Sequence, residues 1–329
     1  MILAIESSCD ETSAAVVSNG KLLSNIVRTQ VIHSQYGGVV PELSAREHIE
    51  YIDSIVDKAL SEANITINGI KAIGVTIGPG LIPALHVGVS YAKGLAWSKN
   101  LPLIPVNHLE GHIFSILLSN DVEPPILLLL VSGGHTILID MPAWREYRIL
   151  GSTRDDACGE AFDKVAKMLN LGYPGGPHVE RLAQNGKNLN IIPVGIHDNT
   201  CDFSFSGIKS AVGRVIADYS KKESNDNWKA DVASSFMHSA IKQLTNKIET
   251  GLEKTGYNKV AIVGGVSANK HLRAEMERLF GDYDVYFADL KYSSDNAAMI
   301  GIVADHIYRN EDISTYLNYS LEPKSKLPL

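Results

Sequence analysis

The sequence predicts an α/β protein of two lobes that repeat one order of strands and helices, each built on a mixed sheet, with a cleft between them. In each half, three short β-rich runs separated by turn residues come first, and alternating helical and β-rich runs follow. Glycine-rich turns also follow several predicted strands, and ligands in such folds bind outside the carboxyl ends of strands. The architecture is therefore expected to be duplicated.

The first half opens with β-rich runs, and Asn19-Gly20 between two of them is a strong hairpin signal. The elements expected here are, in chain order, strands at 2–6, 13–18 and 21–28, a helix near 44–61, a strand at 72–77, a helix near 85–98 and a strand at 102–106. We expect residues 1–105 to form an N-terminal α/β lobe, completed by a closing helix within about 295–329.

The second half repeats this order with a helical insertion before its last strands. Its expected elements are strands at 125–131, 136–141 and 147–151, a helix near 158–170, a long helical middle, a strand at 259–263, a helix near 269–279 and a strand at 284–288. Residues 106–294 are therefore expected to form a C-terminal α/β lobe.

The composition is that of an ordinary globular protein, with 45% hydrophobic and 20% charged residues. The 3 cysteines are odd in number and lack the paired spacing of a zinc knuckle, so they favour a reducing compartment and predict a cytoplasmic protein. The longest apolar run, Ile126–Val131, is far too short to span a bilayer, so no membrane partner is expected.

The net charge of -7 disfavours non-specific binding to nucleic acid, because affinity for phosphate backbones comes from clustered Lys and Arg. A nucleic-acid partner would require local basic patches or other subunits. The local candidates are Lys209, Arg214 and the pair Lys221-Lys222, and a solvated surface is the plainer interpretation of the pair.

His108 and His112 are four residues apart, which on a helix places both imidazoles on one face in the geometry that chelates a metal ion. The alternative is one surface histidine and one core histidine. A zinc protease is disfavoured because Leu109 occupies the position of its catalytic glutamate, and Glu110 lies about 200° round a helix of 3.6 residues per turn.

A third metal ligand must come from elsewhere, and the best candidate is Asp295, shortly before an apolar stretch near the end of the chain. Ser and Asp before such a stretch also mark a helix start, so Asp295 could equally be an N-cap. A set of two histidines and one carboxylate leaves coordination positions open and suits iron(II) or zinc.

Three glycine-rich or polar turns follow predicted strands at corresponding places of the duplicated fold: Glu6–Thr12, Ser132–Thr136 and Gly264–Asn269. Glycine pairs free backbone N–H groups to face phosphate oxygens, and the last turn opens a helix whose positive end attracts anions. Each alone is more often a tight connection. Together they favour a nucleotide cleft, and the pattern resembles the actin, sugar kinase and Hsp70 (ribonuclease H-like) class of folds.

The motifs together resemble the bacterial TsaD tRNA adenosine threonylcarbamoyltransferases, relatives of the archaeal and eukaryotic Kae proteins. They span nearly the whole chain in order. The matching segments are 5–12, 36–42, 78–81, 108–112, 131–136, 155–157, 159–164, 173–177, 203–207 and 264–269. The segment 188–195 departs from the family because it lacks a Phe-Pro-Arg-Pro-like run, and this puts any RNA contact there in doubt.

This resemblance implies transfer of a threonylcarbamoyl group from threonylcarbamoyl-AMP to the exocyclic amine of the adenosine 3′ of the anticodon in ANN-decoding tRNA. It implies a metal bound by His108, His112 and Asp295, with iron(II) favoured over zinc. The residues expected to bind the adenylate are Val131, Ser132, Gly133, Gly134, His135, Asp163, Gly176, Glu180 and Asn269. Their structural alternatives are surface carboxylates, a turn glycine and a helix cap.

Asp10 and Glu11 are assigned to catalysis, either orienting the metal shell or accepting the amine proton, with loop capping as the alternative for Asp10. The resemblance also implies a paralogous TsaB-like subunit and a P-loop ATPase resembling TsaE. The helix after Pro41 is the candidate docking face, and Tyr36, Arg46 and Lys209 are candidates for the RNA surface. The alternatives in function are an ATP-dependent phosphotransferase or ATPase and a nucleotide-binding scaffold of the same fold.

Overall fold

A computed structural model describes residues 1–196, 198–219 and 227–329. The chain divides into two compact units. The first unit combines Met1–Asp121 with Ala288–Leu329, and the second unit is the continuous stretch Val122–Phe287. The basic pair Lys221-Lys222 lies outside the described residues.

Up to Asp121 the chain forms five strands and three helices. They are β1 (Ile2–Glu6), β2 (Glu11–Ser18), β3 (Lys21–Thr29), α1 (Pro41–Glu62), β4 (Ala72–Gly78), α2 (Ile82–Lys99), β5 (Leu103–Asn107) and α3 (His108–Phe114). Helix α1 begins three residues earlier than expected, because Pro41 occupies the first helical turn, where its missing N–H costs nothing.

The second unit contains five further strands and five further helices among its described residues. They are β6 (Ile126–Val131), β7 (Thr136–Ala143), β8 (Glu146–Ser152), α4 (Cys158–Met168), α5 (Gly175–Ala183), α6 (Ser206–Tyr219), α7 (Trp228–Thr255), β9 (Lys259–Val263), α8 (Lys270–Leu279) and β10 (Asp284–Phe287). The long helical middle is thus α5, α6 and α7. The closing helix of the first unit is α9 (Ala297–Asn310).

The two sheets share one topology. The first has the order β3-β2-β1-β4-β5, and the second has the corresponding order β8-β7-β6-β9-β10. In each sheet the first three strands form an antiparallel meander, and the fourth and fifth strands run parallel to the first. The predicted duplicated α/β fold is therefore confirmed.

The division into units differs from the expected boundaries at 105/106 and 294/295. Helix α3 belongs to the first unit, because it continues directly from β5 and packs against α9, which in turn packs on β1 and β2. Both histidines of the predicted metal site and Asp295 consequently lie in the same unit.

Buried apolar residues cover both sheets. All five residues of β1 and all six of β6 are buried, as expected for central strands of a sheet with helices on its faces. In the second unit Phe203 and Phe205 are fully buried and their rings stack 6.5 Å apart, so the Phe-Ser-Phe-Ser run anchors the insertion in the core. Within the described residues, no helix combines the length and apolar character needed to cross a bilayer.

Candidate functional site

Three side chains of the first unit converge at the ends of α3 and α9. One ligand atom from each of His108, His112 and Asp295 lies within 4.8 Å of the other two. The Oδ1 atom of Asp295 is 3.2 Å from Nε2 of His112 and 3.6 Å from Nε2 of His108. The helical spacing of the histidines thus places both imidazoles on one face, as the sequence predicts.

The alternative role for Asp295 as a helix cap does not apply. The N-cap of α9 is Asn296, whose side-chain oxygen accepts a hydrogen bond from the backbone N–H of Met299 at 3.2 Å. The polar residue that starts the helix therefore lies one position after Asp295, and the Asp295 carboxylate points to the two imidazoles instead.

His112 is 1% exposed, and neither of its ring nitrogens has a hydrogen-bond partner among the described residues. Buried polar atoms without such partners cost free energy unless another ligand binds them. His108 is also buried, so the alternative of one surface histidine and one satisfied core histidine is wrong. Two imidazoles and a carboxylate are donors that fit a divalent transition-metal ion.

A second carboxylate lies behind His108. Glu6, at the end of β1, has no exposed surface, and its Oε2 is 3.3 Å from Nδ1 of His108. Burial alone lowers the pKa of His108, but the charges of Asp295 and Glu6 outweigh it and raise that pKa to about 9. Burial likewise opposes ionisation of Glu6, yet His108 holds the pKa of this carboxyl below its usual value.

Asp10 and Glu11 lie where β2 begins, and the carbonyl oxygen of Asp10 accepts a hydrogen bond from the backbone N–H of Gln30 at 3.0 Å. Burial, together with the charges of Asp295 and Asp10, raises the pKa of Glu11 well above its usual value. Burial and the charge of Asp10 also raise the pKa of the Cys9 thiol. A cation bound nearby would relieve the repulsion among these acidic groups and favour their ionised forms.

The raised pKa of His108 predicts how metal affinity depends on pH. Without metal the imidazole is protonated at neutral pH, and the ion must displace that proton from Nε2. We expect the apparent affinity for Zn²⁺ or Co²⁺ to rise about tenfold per pH unit from pH 6.5 to 8.5 and to level off above about 9. Competition titrations against a chromophoric chelator at each pH would measure the apparent affinity. An affinity that does not change with pH would contradict the prediction.

The C-terminal segment 324–328 contacts the same end of the first sheet. The backbone N–H of Lys324 donates to the carbonyl of Ile77 at 2.7 Å, and the side-chain amide of Asn107 donates to the carbonyl of Pro328 at 2.9 Å. Asn107 also caps α3, because its side-chain oxygen accepts from the N–H of Leu109 at 2.9 Å. The segment therefore fixes the start of the helix that carries the histidines.

In the second unit, residues 131–135 form the turn between β6 and β7. The N–H of Ser132 donates to the carbonyl of His135 at 2.8 Å, and the N–H of His135 donates back to the Ser132 hydroxyl at 3.2 Å. Gly133 and Gly134 are exposed, and a Cβ at either would meet nothing within 4 Å. Their backbone is thus accessible to a ligand.

The turn after β9 packs under this loop. Gly264 adopts φ +92, and a Cβ on it would lie 2.6 Å from the carbonyl oxygen of Val131. Only glycine fits here, because both its backbone conformation and the close approach exclude a side chain.

Three other predicted adenylate residues accept hydrogen bonds from backbone N–H groups at the starts of helices. Asp163 on α4 accepts from the N–H of Gly175, next to Gly176, at 2.7 Å, and Glu180 on α5 accepts from the N–H of Lys270 at 2.7 Å. Asn269 caps α8, since its side-chain oxygen accepts from the N–H of Leu272 at 2.9 Å. The helix-cap alternative therefore holds for the oxygen of Asn269.

The candidates for the RNA surface differ in exposure and in their ion pairs within the chain. Tyr36 is 58% exposed, whereas Arg46 pairs with Glu42 at 2.8 Å on the surface of α1. Lys209 pairs with Asp156 at 2.6 Å, so its charge is engaged within the chain. Exposure is therefore greatest at Tyr36 and Arg46.

Sequence reasoning gave no role to two residues that contact the candidate ligands or their helix, Glu6 and Asn107. The signals were present: an acidic residue ends an otherwise apolar buried strand, and an asparagine directly precedes the two-histidine helix. The contact of Glu6 with His108 becomes visible only once the fold brings them together, whereas the Asn107 cap is local and could have been read from the sequence.

A family model described as "TsaD: tRNA N6-adenosine threonylcarbamoyltransferase" matches residues 21–302 of this chain. The chain belongs to the TsaD family. Among curated TsaD relatives, a Clostridium beijerinckii protein is 46% identical over 334 residues, covering 99% of this chain and 98% of that protein. One from Clostridium novyi is 50% identical over 311 residues, covering 92% of this chain and 91% of that protein. Both are named tRNA N6-adenosine threonylcarbamoyltransferase.

Solved structures support the fold of this TsaD protein. Full-length HypF in a phosphate- and nucleotide-bound form superposes with a TM-score of 0.63 at 13% identity, covering 94% of this chain and 56% of HypF. The activator of 2-hydroxyisocaproyl-CoA dehydratase from Clostridium difficile, with bound ADPNP, gives a TM-score of 0.53 at 12% identity, covering 94% and 95%. By family, this TsaD protein is a transferase that makes threonylcarbamoyladenosine in tRNA.

Proposed function

We propose that the protein transfers the threonylcarbamoyl group of threonylcarbamoyl-AMP to the exocyclic amine of the adenosine 3′ of the anticodon in ANN-decoding tRNA. The amine nitrogen forms a bond to the carbamoyl carbon, the bond from that carbon to the phosphate oxygen breaks, and AMP leaves as the amine loses one proton. Since the donor is already activated, the protein needs to position the substrates and stabilise developing charge.

The observation that carries this proposal is the convergence of His108, His112 and Asp295 in a chain of this family. These three residues would hold one divalent ion, with iron(II) favoured and zinc as the alternative. When bound, the ion supplies Lewis-acid stabilisation of negative charge on a substrate oxygen. A phosphotransferase of the same fold would leave this buried ligand set without a use.

Asp10 and Glu11 are the proposed proton-handling residues. The raised pKa of Glu11 suits a group that takes a proton from an amine, because a more basic carboxylate accepts it more readily. Asp10 lies beside it and orients the loop through the hydrogen bond to Gln30. Orienting the metal shell and accepting the amine proton are therefore both proposed for the pair Asp10 and Glu11.

The AMP part of the donor is proposed to bind in the second unit. The accessible backbone of Gly133 and Gly134 suits phosphate oxygens, and the carboxylates of Asp163 and Glu180 suit ribose hydroxyls. The remaining proposed contacts are Val131, Ser132, His135, Gly176 and Asn269.

Accessory proteins are proposed to complete the reaction in the cytoplasm. A TsaB-like paralogous subunit would dock on α1, which buries one face through Ile52 and Val56 but leaves Ile49 66% exposed. A TsaE-like P-loop ATPase is the second proposed partner. A chain with net charge -7 needs other subunits to supply positive potential for tRNA.

One reconstitution tests the proposal: unmodified tRNA, freshly made threonylcarbamoyl-AMP and the accessory subunits, with metal-loaded and chelator-treated protein. We expect modified nucleoside by mass spectrometry with loaded protein, and loss of at least about 100-fold after chelation, restored by Fe²⁺ or Zn²⁺. Steady ATP turnover without tRNA would support a phosphotransferase instead. Adenylate binding with no transfer under any condition would support a scaffold.

A further inference from the structure

We propose that Glu6 is a positioning residue of the metal centre, which holds the His108 imidazole with its hydrogen on Nδ1 so that Nε2 faces the ion. This inference rests on the proposed metal site and adds a residue outside the ligand set. Glu6 touches neither substrate nor the proposed ion, and it acts through His108 alone.

The contacts of Glu6 leave its carboxylate little freedom. Its Oε2 accepts a hydrogen bond from the Thr76 hydroxyl at 2.6 Å and lies 3.3 Å from Nδ1 of His108. Its Oε1 accepts from the backbone N–H of Ser8 at 2.5 Å. Both oxygens are thus occupied by donors from three different segments of the chain.

The pairing of two strands fixes the position of Glu6 relative to its donor Thr76. Strands β1 and β4 are parallel, with Ile5 opposite Val75, so Glu6 and Thr76 follow directly at the carboxyl ends of neighbouring strands. Both strands are central in the sheet and their side chains are buried. The carboxylate is therefore held by buried central strands of the first sheet.

The chemistry of the carboxylate decides which histidine nitrogen carries hydrogen. An ionised carboxylate only accepts hydrogen bonds, so Nδ1 of His108 must be the donor. The Ser8 hydroxyl, 3.1 Å from the same nitrogen, can also accept. With hydrogen on Nδ1, neutral His108 has its lone pair on Nε2, the nitrogen that faces Asp295. Carboxylates behind metal-binding histidines typically act in this way.

The variant Glu6→Gln disrupts this arrangement while keeping the size of the side chain at position 6. If the glutamine amide oxygen accepts from Ser8, its NH₂ group faces Nδ1 of His108 and favours the wrong tautomer. If the amide is reversed, the NH₂ group opposes the Ser8 N–H instead. The matched control is Asp305→Asn. Asp305 is likewise buried, and each of its carboxylate oxygens likewise accepts a hydrogen bond, here from the backbone N–H groups of Asn19 and Gly20.

The test measures Zn²⁺ affinity of the full-length protein by competition with a chromophoric chelator, and the tautomer of His108 by ¹⁵N NMR. We expect Glu6→Gln to bind Zn²⁺ 10- to 100-fold more weakly, an order of magnitude typical of such supporting carboxylates. Asp305→Asn should melt at a lower temperature yet bind within about twofold of the wild type. In the Zn²⁺-loaded wild type, NMR should show hydrogen on Nδ1 of His108 and none on Nε2.

Should Glu6→Gln fail to fold, Thr76→Val decides, because it removes one donor to Glu6 and keeps the carboxylate. It should weaken Zn²⁺ binding several-fold, to a smaller extent than loss of the carboxylate. Unchanged affinity in the folded variants, or hydrogen on Nε2 of His108 in the Zn²⁺-loaded wild type, would overturn the role of Glu6. A wild type that binds no divalent ion would instead overturn the metal centre itself.

Discussion

Replacing His112 with alanine is expected to lower threonylcarbamoyl transfer by at least about 100-fold, because the ion loses one of three protein ligands. Some loss of stability is also expected, because His112 is 1% exposed and its truncation leaves a cavity beside Asp295. Nucleoside analysis of the tRNA by mass spectrometry measures transfer, and metal content of the purified variant measures the cause.

The control for this experiment is His86→Ala, which removes an exposed histidine from α2 of the same unit. It should retain metal and activity. If His112→Ala retained wild-type transfer with no metal bound, the proposed centre would have no part in the reaction.

Replacing Gly264 with alanine is expected to lower the free energy of unfolding by about 2–4 kcal/mol and to weaken donor binding. The new Cβ would meet the carbonyl of Val131, and alanine at φ +92 is strained in addition. Because Val131 leads into the proposed adenylate loop, relief of the clash must displace that loop. Chemical denaturation and the KM for threonylcarbamoyl-AMP measure the two effects.

Gly265 offers the matched control, since a Cβ there would meet nothing within 4 Å. Gly265→Ala should change stability by less than about 0.5 kcal/mol. Equal effects of the two substitutions would show that the close packing at Val131 does not matter.

The sequence predicts most strands to within a few residues, because their apolar runs are bounded by turns such as Asn19-Gly20. It predicts helices less well. Helix α5 begins within Gly175-Gly176-Pro177, residues that normally read as a turn, and its helical state depends on packing against α4 and α7. Local pattern therefore locates elements that are bounded by turn residues, but it does not locate the start of a helix that tertiary contacts stabilise.

For the metal centre, the sequence supplies the histidine pair but leaves Asp295 undecided between ligand and cap. Only the three-dimensional structure separates these, because Asn296 takes the capping role and the carboxylate meets imidazoles far away in the chain. Glu6 could not be assigned for the same reason, since its partner Thr76 is fixed by strand pairing and its partner His108 by the end of β5. Long-range pairings of this kind are invisible to periodicity.

The first unit is discontinuous, because the chain leaves it at Asp121 and re-enters at Ala288. A nascent polypeptide therefore displays both imidazoles long before the ribosome has made their carboxylate partner. The continuous stretch in between can acquire its own core during that interval. If the proposed ion binds here, its capture is expected only after translation has delivered Asp295 and the segment that fixes Asn107.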